Sequence, residues 1–213
     1  MNNELLARAA QIGTATWSDA LDEIGVSGVV SGLTKRSGKG RCAGLARTVR
    51  GEVAERGTFK ATEFGLDRML ASAGPGQVLT VELGGAEVSG MGGLGALSAH
   101  LRGIAAVLID GGCRDMEDIE DTGLWVASRF VTPRTGKLRV RYGGFGEPAR
   151  LGGVVVRNDD LIVADATGIV VVPQARTLEV LAIAEKMAAT DARKEEALRA
   201  GLSLAQARER TKE

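Results

Sequence analysis

Up to Val131 the chain alternates between two arrangements of apolar side chains: one apolar residue every three or four positions, and short runs that are almost wholly apolar. The first marks one buried face of a helix and the second a strand buried on both faces. The spacing predicts helices over about 3–12 and 16–24, with Thr16 as N-cap and Gly25 as the stop. Strands are expected near 45–50 and 77–83, separated by a helix over about 61–73 that ends in AGPG. A further helix starts near Gly93, runs through LGALSAHLR and stops at Gly103. Strand 105–110, an acidic helix over about 115–122 and strand 124–131 follow.

The pattern then changes. LGGVVVRNDDLIVADATGIVVVP reads as a meander of three short strands, near 153–157, 160–164 and 168–172, joined by turns of Asn, Asp and Gly and ended by Pro173. A long helix over about 174–200 follows, with Leu178, Leu181, Ala184 and Met187 on one face. Gly201 stops it, and Ser203 caps a last charged helix. No linker or internal repeat interrupts this order, so a single domain over 1–213 with a C-terminal helical arm from about 174 to 213 is expected.

Composition narrows the function classes. Lys plus Arg and Asp plus Glu are both 27, which argues against a basic nucleic-acid surface. No apolar run reaches the ~18 residues of a membrane span, and MNNELLARAAQIG reads as a helix rather than a signal peptide. A cytoplasmic protein is the expectation. Cys42 and Cys113 stand apart, outside any CxxC pair, which suggests neither a zinc site nor a disulfide framework. The one histidine, His100, falls mid-helix and leaves little room for Ser-His or Cys-His chemistry. Glycine, at 30 residues, is about twice its usual ~7%, and sits at turns between apolar runs.

Two constellations carry candidate chemistry. GMGGLG, Gly90 to Gly95, matches GxGxxG, and Asp110 ends the next strand. It reads as a dinucleotide fingerprint, as a structural glycine turn, or as free N–H groups at a helix start that bind an anion, carboxylate or phosphate. The second is Arg114-Asp115, set down after Asp110 and two glycines close the strand. Arg offers a planar fork for a carboxylate or an enolate oxygen, and Asp a hard oxygen ligand for Mg²⁺ or Mn²⁺. The alternative is a surface ion pair, with Glu117, Asp118, Glu120 and Asp121 as a solvated helix start. Cys113 reads as a small strand-end residue or an activated thiolate. None of the lysines at 35, 39, 60, 137, 186 and 194 lies in the apolar surroundings of a Schiff-base amine.

The motif from Leu94 to Asp115, with SDALDEIGVSGVVSGL, DTGLWVASRFVTPR and NDDLIVADATGIVVVP, resembles the metal-dependent 4-hydroxy-4-methyl-2-oxoglutarate / 4-carboxy-4-hydroxy-2-oxoadipate aldolases. That family is related to the regulator of ribonuclease activity A. The resemblance covers nearly the whole chain and implies an αββα sandwich, assembly as trimers or hexamers, and an active site between subunits. It implies that the Gly92, Gly93, Leu94 and Gly95 N–H groups bind a pyruvyl carboxylate, that Arg114 contacts the keto or enolate oxygen, and that Asp115 holds Mg²⁺ or Mn²⁺ mainly with waters.

Two departures stand out. Family aldolases carry an Asp where this chain has Gly93, and a Glu from the neighbouring subunit's C-terminal helix, for which Asp191 is the nearest match; Glu87 is a candidate replacement for the missing acid. An Asp placed at 93 would gain from the helix dipole unless Gly93 holds a positive φ. The implied activity is retro-aldol cleavage of 4-hydroxy-2-oxo acids to pyruvate, decarboxylation of oxaloacetate, or both. The alternative is a non-catalytic binding protein like the ribonuclease regulator.

Overall fold

The computed structural model describes residues 3–211, so residues 1–2 and 212–213 of the expected domain and arm lie outside the described residues. In chain order the elements are α1 (Asn3–Gln11), α2 (Thr14–Glu23), β1 (Val29–Val30), β2 (Thr34–Ser37), β3 (Cys42–Val53), α3 (Leu66–Ala71), β4 (Val78–Glu82), β5 (Ser89–Met91), α4 (Gly93–Leu101) and β6 (Ala106–Cys113). Then come α5 (Met116–Thr122), β7 (Trp125–Val131), β8 (Val140–Gly143), β9 (Ala149–Leu151), β10 (Val154–Val156), β11 (Leu161–Ala164), β12 (Ile169–Val172), α6 (Thr177–Arg199) and α7 (Leu204–Arg210).

The layers are helix, sheet, sheet, helix: the αββα sandwich. One curled hydrogen-bonded sheet supplies both inner layers, in the order β1-β12-β11-β3-β4-β6-β7-β2, with β5 beside β6 and β8 beside β3. The long strand β3 makes the curl. Its start pairs antiparallel with β11, its middle parallel with β4 and its end antiparallel with β8.

Alternate side chains explain why these strands read as unbroken apolar runs. Ala106 and Leu108 of β6 point between the sheets with Val78, Trp125, Ile162 and Val171. Val107 and Ile109 point the other way, against Met69 of α3, Ala96 and Ala99 of α4 and Ile119 of α5. Likewise Leu161 and Val163 of β11 face Trp17 and Leu21 of α2 and Val180, Leu181 and Ala184 of α6.

The structure corrects several expectations. The helix expected at 61–73 is a 3₁₀ turn at Ala61–Phe64 followed by α3. Helix α2 begins at Thr14, not after Thr16, because Asp165 accepts from the Thr14 N–H (2.9 Å) and Oγ1 (2.7 Å), a cap supplied from far along the chain. The meander is two separate hairpins: β9–β10 forms its own pair, and β11–β12 belongs to the curled sheet. On α6, Leu178 is exposed, and Thr177, Val180, Leu181 and Ala184 form the buried face.

Most consequential, Asp110 and the two glycines do not end β6. The strand continues to Cys113, pairing with β5 and β7 through Gly112 and Cys113. The glycines serve close packing: a Cβ at Gly111 would lie 2.8 Å from Leu83, and one at Gly112 would lie 2.9 Å from the Val88 carbonyl. Asp110 is buried, pairs with Arg129 Nε and accepts the Gly152 N–H at 3.0 Å, tying β6, β7 and the β9–β10 hairpin together. Asp110→Ala is therefore expected to cost about 3–5 kcal/mol, as for a broken buried ion pair, in urea unfolding. A loss below ~1 kcal/mol would show that the pair is not structural.

Candidate active site

Strands β3, β4, β6 and β7 run parallel, with β5 parallel to β6, and their carboxyl ends open on one cleft, the usual ligand side of such a sheet. The cleft holds about 410 Å³. Its lining comes from the 3₁₀ turn and α3, the end of β5, the first turn of α4, Arg114 and Asp115 after β6, and Thr135, Gly136 and Lys137 after β7.

Local geometry fixes the two charged residues. Arg114 leaves the sheet with its N–H bonded to the Met91 carbonyl at 3.2 Å. Asp115 adopts φ 55°, ψ 55° at the N-cap of α5, a left-handed conformation that Asp tolerates better than most residues. Its Oδ2 accepts the Gly93 N–H at 3.2 Å and stands 3.4 Å from Arg114 Nε. Its Oδ1 has no protein partner among the described residues, and neither do the two terminal nitrogens of Arg114. Both side chains are 41% exposed, so the pair is open to solvent.

The start of α4 is open as well. Gly92 is its N-cap and provides no side-chain cap, and the first helical bond runs from Ala96 N–H to the Gly92 carbonyl. The N–H groups of Leu94 and Gly95 thus have no acceptor among the described residues, whereas the Gly93 N–H is held by Asp115. Gly92, Leu94 and Gly95 thus line the cleft beside Arg114 and Asp115, while Gly93 does not line it and its N–H is taken by Asp115.

Other candidates stand elsewhere. Asp110 is held by Arg129 and Gly152, which removes the acidic partner of the dinucleotide reading. Cys113 is buried 3.3 Å from Ser128 Oγ; burial pushes its thiol up, with a smaller opposing effect of the Ser128 hydrogen bond, so it is not an activated thiolate. Burial likewise raises Cys42 to about 12. His100, in the last turn of α4, and Glu87 are exposed and do not line the cleft. Asp191 is exposed on α6, 2.9 Å from Lys194 Nζ, outside the cleft of its own chain.

Sequence reasoning missed Lys137, Thr135 and Asp67 as cleft residues. The available signal was position: TPRTGK follows β7, where the chain returns to the carboxyl ends of the parallel strands.

The residues fit a hard divalent cation. Asp115 offers a free carboxylate oxygen, and a Cβ at Gly92 would fall 2.4 Å from Asp115 Oδ2, so glycine leaves the room that this carboxylate occupies. Among the described residues no group of three or more His, Cys, Asp or Glu could hold a metal, so water would complete the shell, as Mg²⁺ commonly requires.

Comparison with known proteins agrees in fold and family. The family model described as Aldolase/RraA matches residues 14–171. A Halalkalibacterium halodurans protein is 29% identical over 196 residues, 92% of this chain and 89% of its own; its name gives 4-hydroxy-4-methyl-2-oxoglutarate aldolase as a provisional assignment. A Thermus thermophilus protein named 4-hydroxy-4-methyl-2-oxoglutarate aldolase is 29% identical over 138 residues, 64% of this chain and 79% of its own. The crystal structure of Streptomyces coelicolor RraAS2, described as an unusual member of the RNase ES inhibitor RraA family, superposes with a TM-score of 0.81 at 25% identity, covering 94% of this chain and 99% of the other.

Gly92→Ala tests the local packing. Its Cβ would collide with Asp115, so the substitution is expected to destabilise by ~1–3 kcal/mol in chemical denaturation. Combining it with Asp115→Gly should cost less than the sum of the two, because the colliding carboxylate is gone. Strict additivity would mean that Asp115 does not occupy this space.

Proposed function

The chain belongs to the Aldolase/RraA family, and from that premise we propose that it is a divalent-metal-dependent lyase acting on 2-oxo acids. The observation that carries this reading is the convergence, in one cleft, of two unpaired N–H groups, an unpartnered Arg114 fork and an unpartnered Asp115 oxygen. Those are the groups a 2-oxo acid needs: donors for the carboxylate, a cation for the 2-oxo oxygen, and a ligand for a metal.

The Leu94 and Gly95 N–H groups at the start of α4 bind the carboxylate. Arg114 donates to the 2-oxo oxygen, and its contribution grows as that oxygen gains enolate charge. Asp115 would hold Mg²⁺ or Mn²⁺, which when bound would supply Lewis acidity to the reaction. In a 4-hydroxy-2-oxo acid the hydroxyl proton leaves to a base and the C3–C4 bond breaks. Its electron pair becomes the pyruvate enolate, C4 emerges as a carbonyl, and protonation at C3 completes pyruvate. Oxaloacetate loses CO₂ through the same enolate without needing a base for a hydroxyl. Lys137 lines the cleft without an ion-pair partner among the described residues, and suits the distal carboxylate of a dicarboxylic substrate.

The active unit in this reading is an oligomer, a trimer or a pair of trimers. Leu94 and Leu101 of α4 are 86% and 76% exposed beside the cleft, an apolar stripe suited to a neighbouring copy. The arm of α6 and α7 would bring Asp191 to that neighbour's site. A second reading, a regulatory binding protein, is favoured by the Streptomyces neighbour's description as a member of an RNase inhibitor family.

Pyruvate release from oxaloacetate and from 4-hydroxy-4-methyl-2-oxoglutarate, with and without Mg²⁺ or Mn²⁺, separates the two readings. Asp115→Asn keeps a residue that tolerates the left-handed conformation and is expected to abolish metal-stimulated turnover in a folded protein. Arg114→Ala should lower turnover by ~10²–10³-fold. Metal-stimulated turnover unchanged in Asp115→Asn would refute its assignment as the ligand, and no turnover of either substrate by the wild type would favour the regulatory reading.

A further inference from the structure

Strand β5 does not run evenly beside β6. Between Ser89, opposite Gly112, and Met91, opposite Cys113, β5 advances two residues while β6 advances one. Gly90 is therefore the extra residue of a bulge, which bends the chain and leaves that residue out of the pairing. Two buried hydroxyls take up the carbonyls at this point. Tyr142 donates to the Gly90 carbonyl at 2.8 Å, and Ser89 Oγ donates to the Met91 carbonyl at 2.9 Å. Position 90 has no room for a side chain, because a Cβ there would fall 2.7 Å from the Tyr142 hydroxyl. Burial pushes the Tyr142 phenol up, so the hydroxyl remains a donor.

The Met91 carbonyl has a second donor, the Arg114 N–H at 3.2 Å. One carbonyl thus joins the Ser89 hydroxyl to the backbone of Arg114, and the next residue, Gly92, is the N-cap of α4. Ser89 also reaches the wall that follows β7. Its N–H donates to the Arg134 carbonyl at 2.9 Å, and a Cβ at Gly136 would collide with the Ser89 carbonyl. Phe64 presses on Gly136 too and packs against Tyr142, with ring centroids 5.5 Å apart. Phe64, Ser89, Met91 and Gly136 all line the cleft, yet Ser89 is only 2% exposed, so it lies beneath the site rather than in it.

Stability does not call for the Ser89 hydroxyl. Without it the Met91 carbonyl keeps the Arg114 N–H, and no buried carbonyl is orphaned. We infer that Ser89 and Tyr142 are positioning residues for 2-oxo acid recognition: their hydroxyls fix the bulge of β5, and through it the spacing between the Leu94 and Gly95 N–H groups and Arg114. This deepens the proposed function and rests on those groups as the ones that bind substrate. Donors held at one spacing need no rearrangement when substrate arrives, which is what preorganised recognition requires.

Calorimetric titration of pyruvate into the full chain with saturating Mg²⁺ tests this, because it reads affinity and the number of working sites separately. Ser89→Ala and the nearly isosteric Tyr142→Phe should each weaken pyruvate binding by ~3–10-fold, about what one neutral hydrogen bond carries, with the wild-type number of sites per chain. A merely structural role would reduce the number of sites and leave the affinity of the remaining ones unchanged, and that result overturns the inference. Wild-type affinity in both variants, with binding lost in Arg114→Ala, also overturns it and leaves the substrate reading standing. Wild-type affinity in one variant removes that residue from the assignment. No pyruvate binding by the wild type overturns the reading itself, and the inference with it.

Discussion

The close approach of three backbones at the end of β6 sets the rest of the site. Gly112 and Cys113 remain paired in the sheet, so Arg114 and Asp115 leave it at one fixed point. The first turn of α4 passes directly over that point, near enough that Gly93 donates to Asp115 and Gly92 has no space for a methyl group. A larger residue at 92 would push the carboxylate away from the Gly93 N–H that it accepts. The glycines are needed because charged side chains occupy the volume their own side chains would fill.

Two Arg–Asp pairs, one bridging β6 and β7 and one just beyond the end of β6, do different work. Asp110 with Arg129 is buried, also receives the Gly152 N–H, and locks β6 to β7 and to the β9–β10 hairpin. Arg114 with Asp115 is half exposed, spans 3.4 Å through one nitrogen, and leaves the rest of the fork and one oxygen unpartnered. Exposed pairs contribute little to stability, typically ~0–1 kcal/mol. Stability therefore does not account for the second pair, whereas the proposed recognition of a 2-oxo acid and a cation would. The buried pair keeps the platform rigid beneath the exposed one, as preorganised electrostatic stabilisation requires.

Much of this was legible in the sequence where the signal was local. Apolar runs over β4, β6, β7, β11 and β12 identified strands buried on both faces, and the resemblance named the sandwich and the cleft loop. What escaped depended on distant partners. The early start of α2 comes from Asp165, more than a hundred residues away. Asp110-Gly111-Gly112 reads as a strand end because glycine usually turns a chain, yet Leu83 and the Val88 carbonyl press close enough here to exclude any side chain. Asp118 looked like one more charge on a solvated helix start. Its place beside Gly93 follows from the packing of α5 on α4, which no spacing within either helix encodes. Lys137 has polar neighbours in sequence, and only the return of the chain after β7 brings it to the cleft.

The central claim is that the cleft recognises a 2-oxo acid through Arg114 and a cation on Asp115 together. Calorimetric titration of pyruvate into the wild-type protein, with and without saturating Mg²⁺, tests it most directly. Pyruvate is predicted to bind measurably only with Mg²⁺ present, and to lose that binding in Arg114→Ala. Equal pyruvate affinity with and without the cation, or an undiminished affinity in Arg114→Ala, would contradict the account.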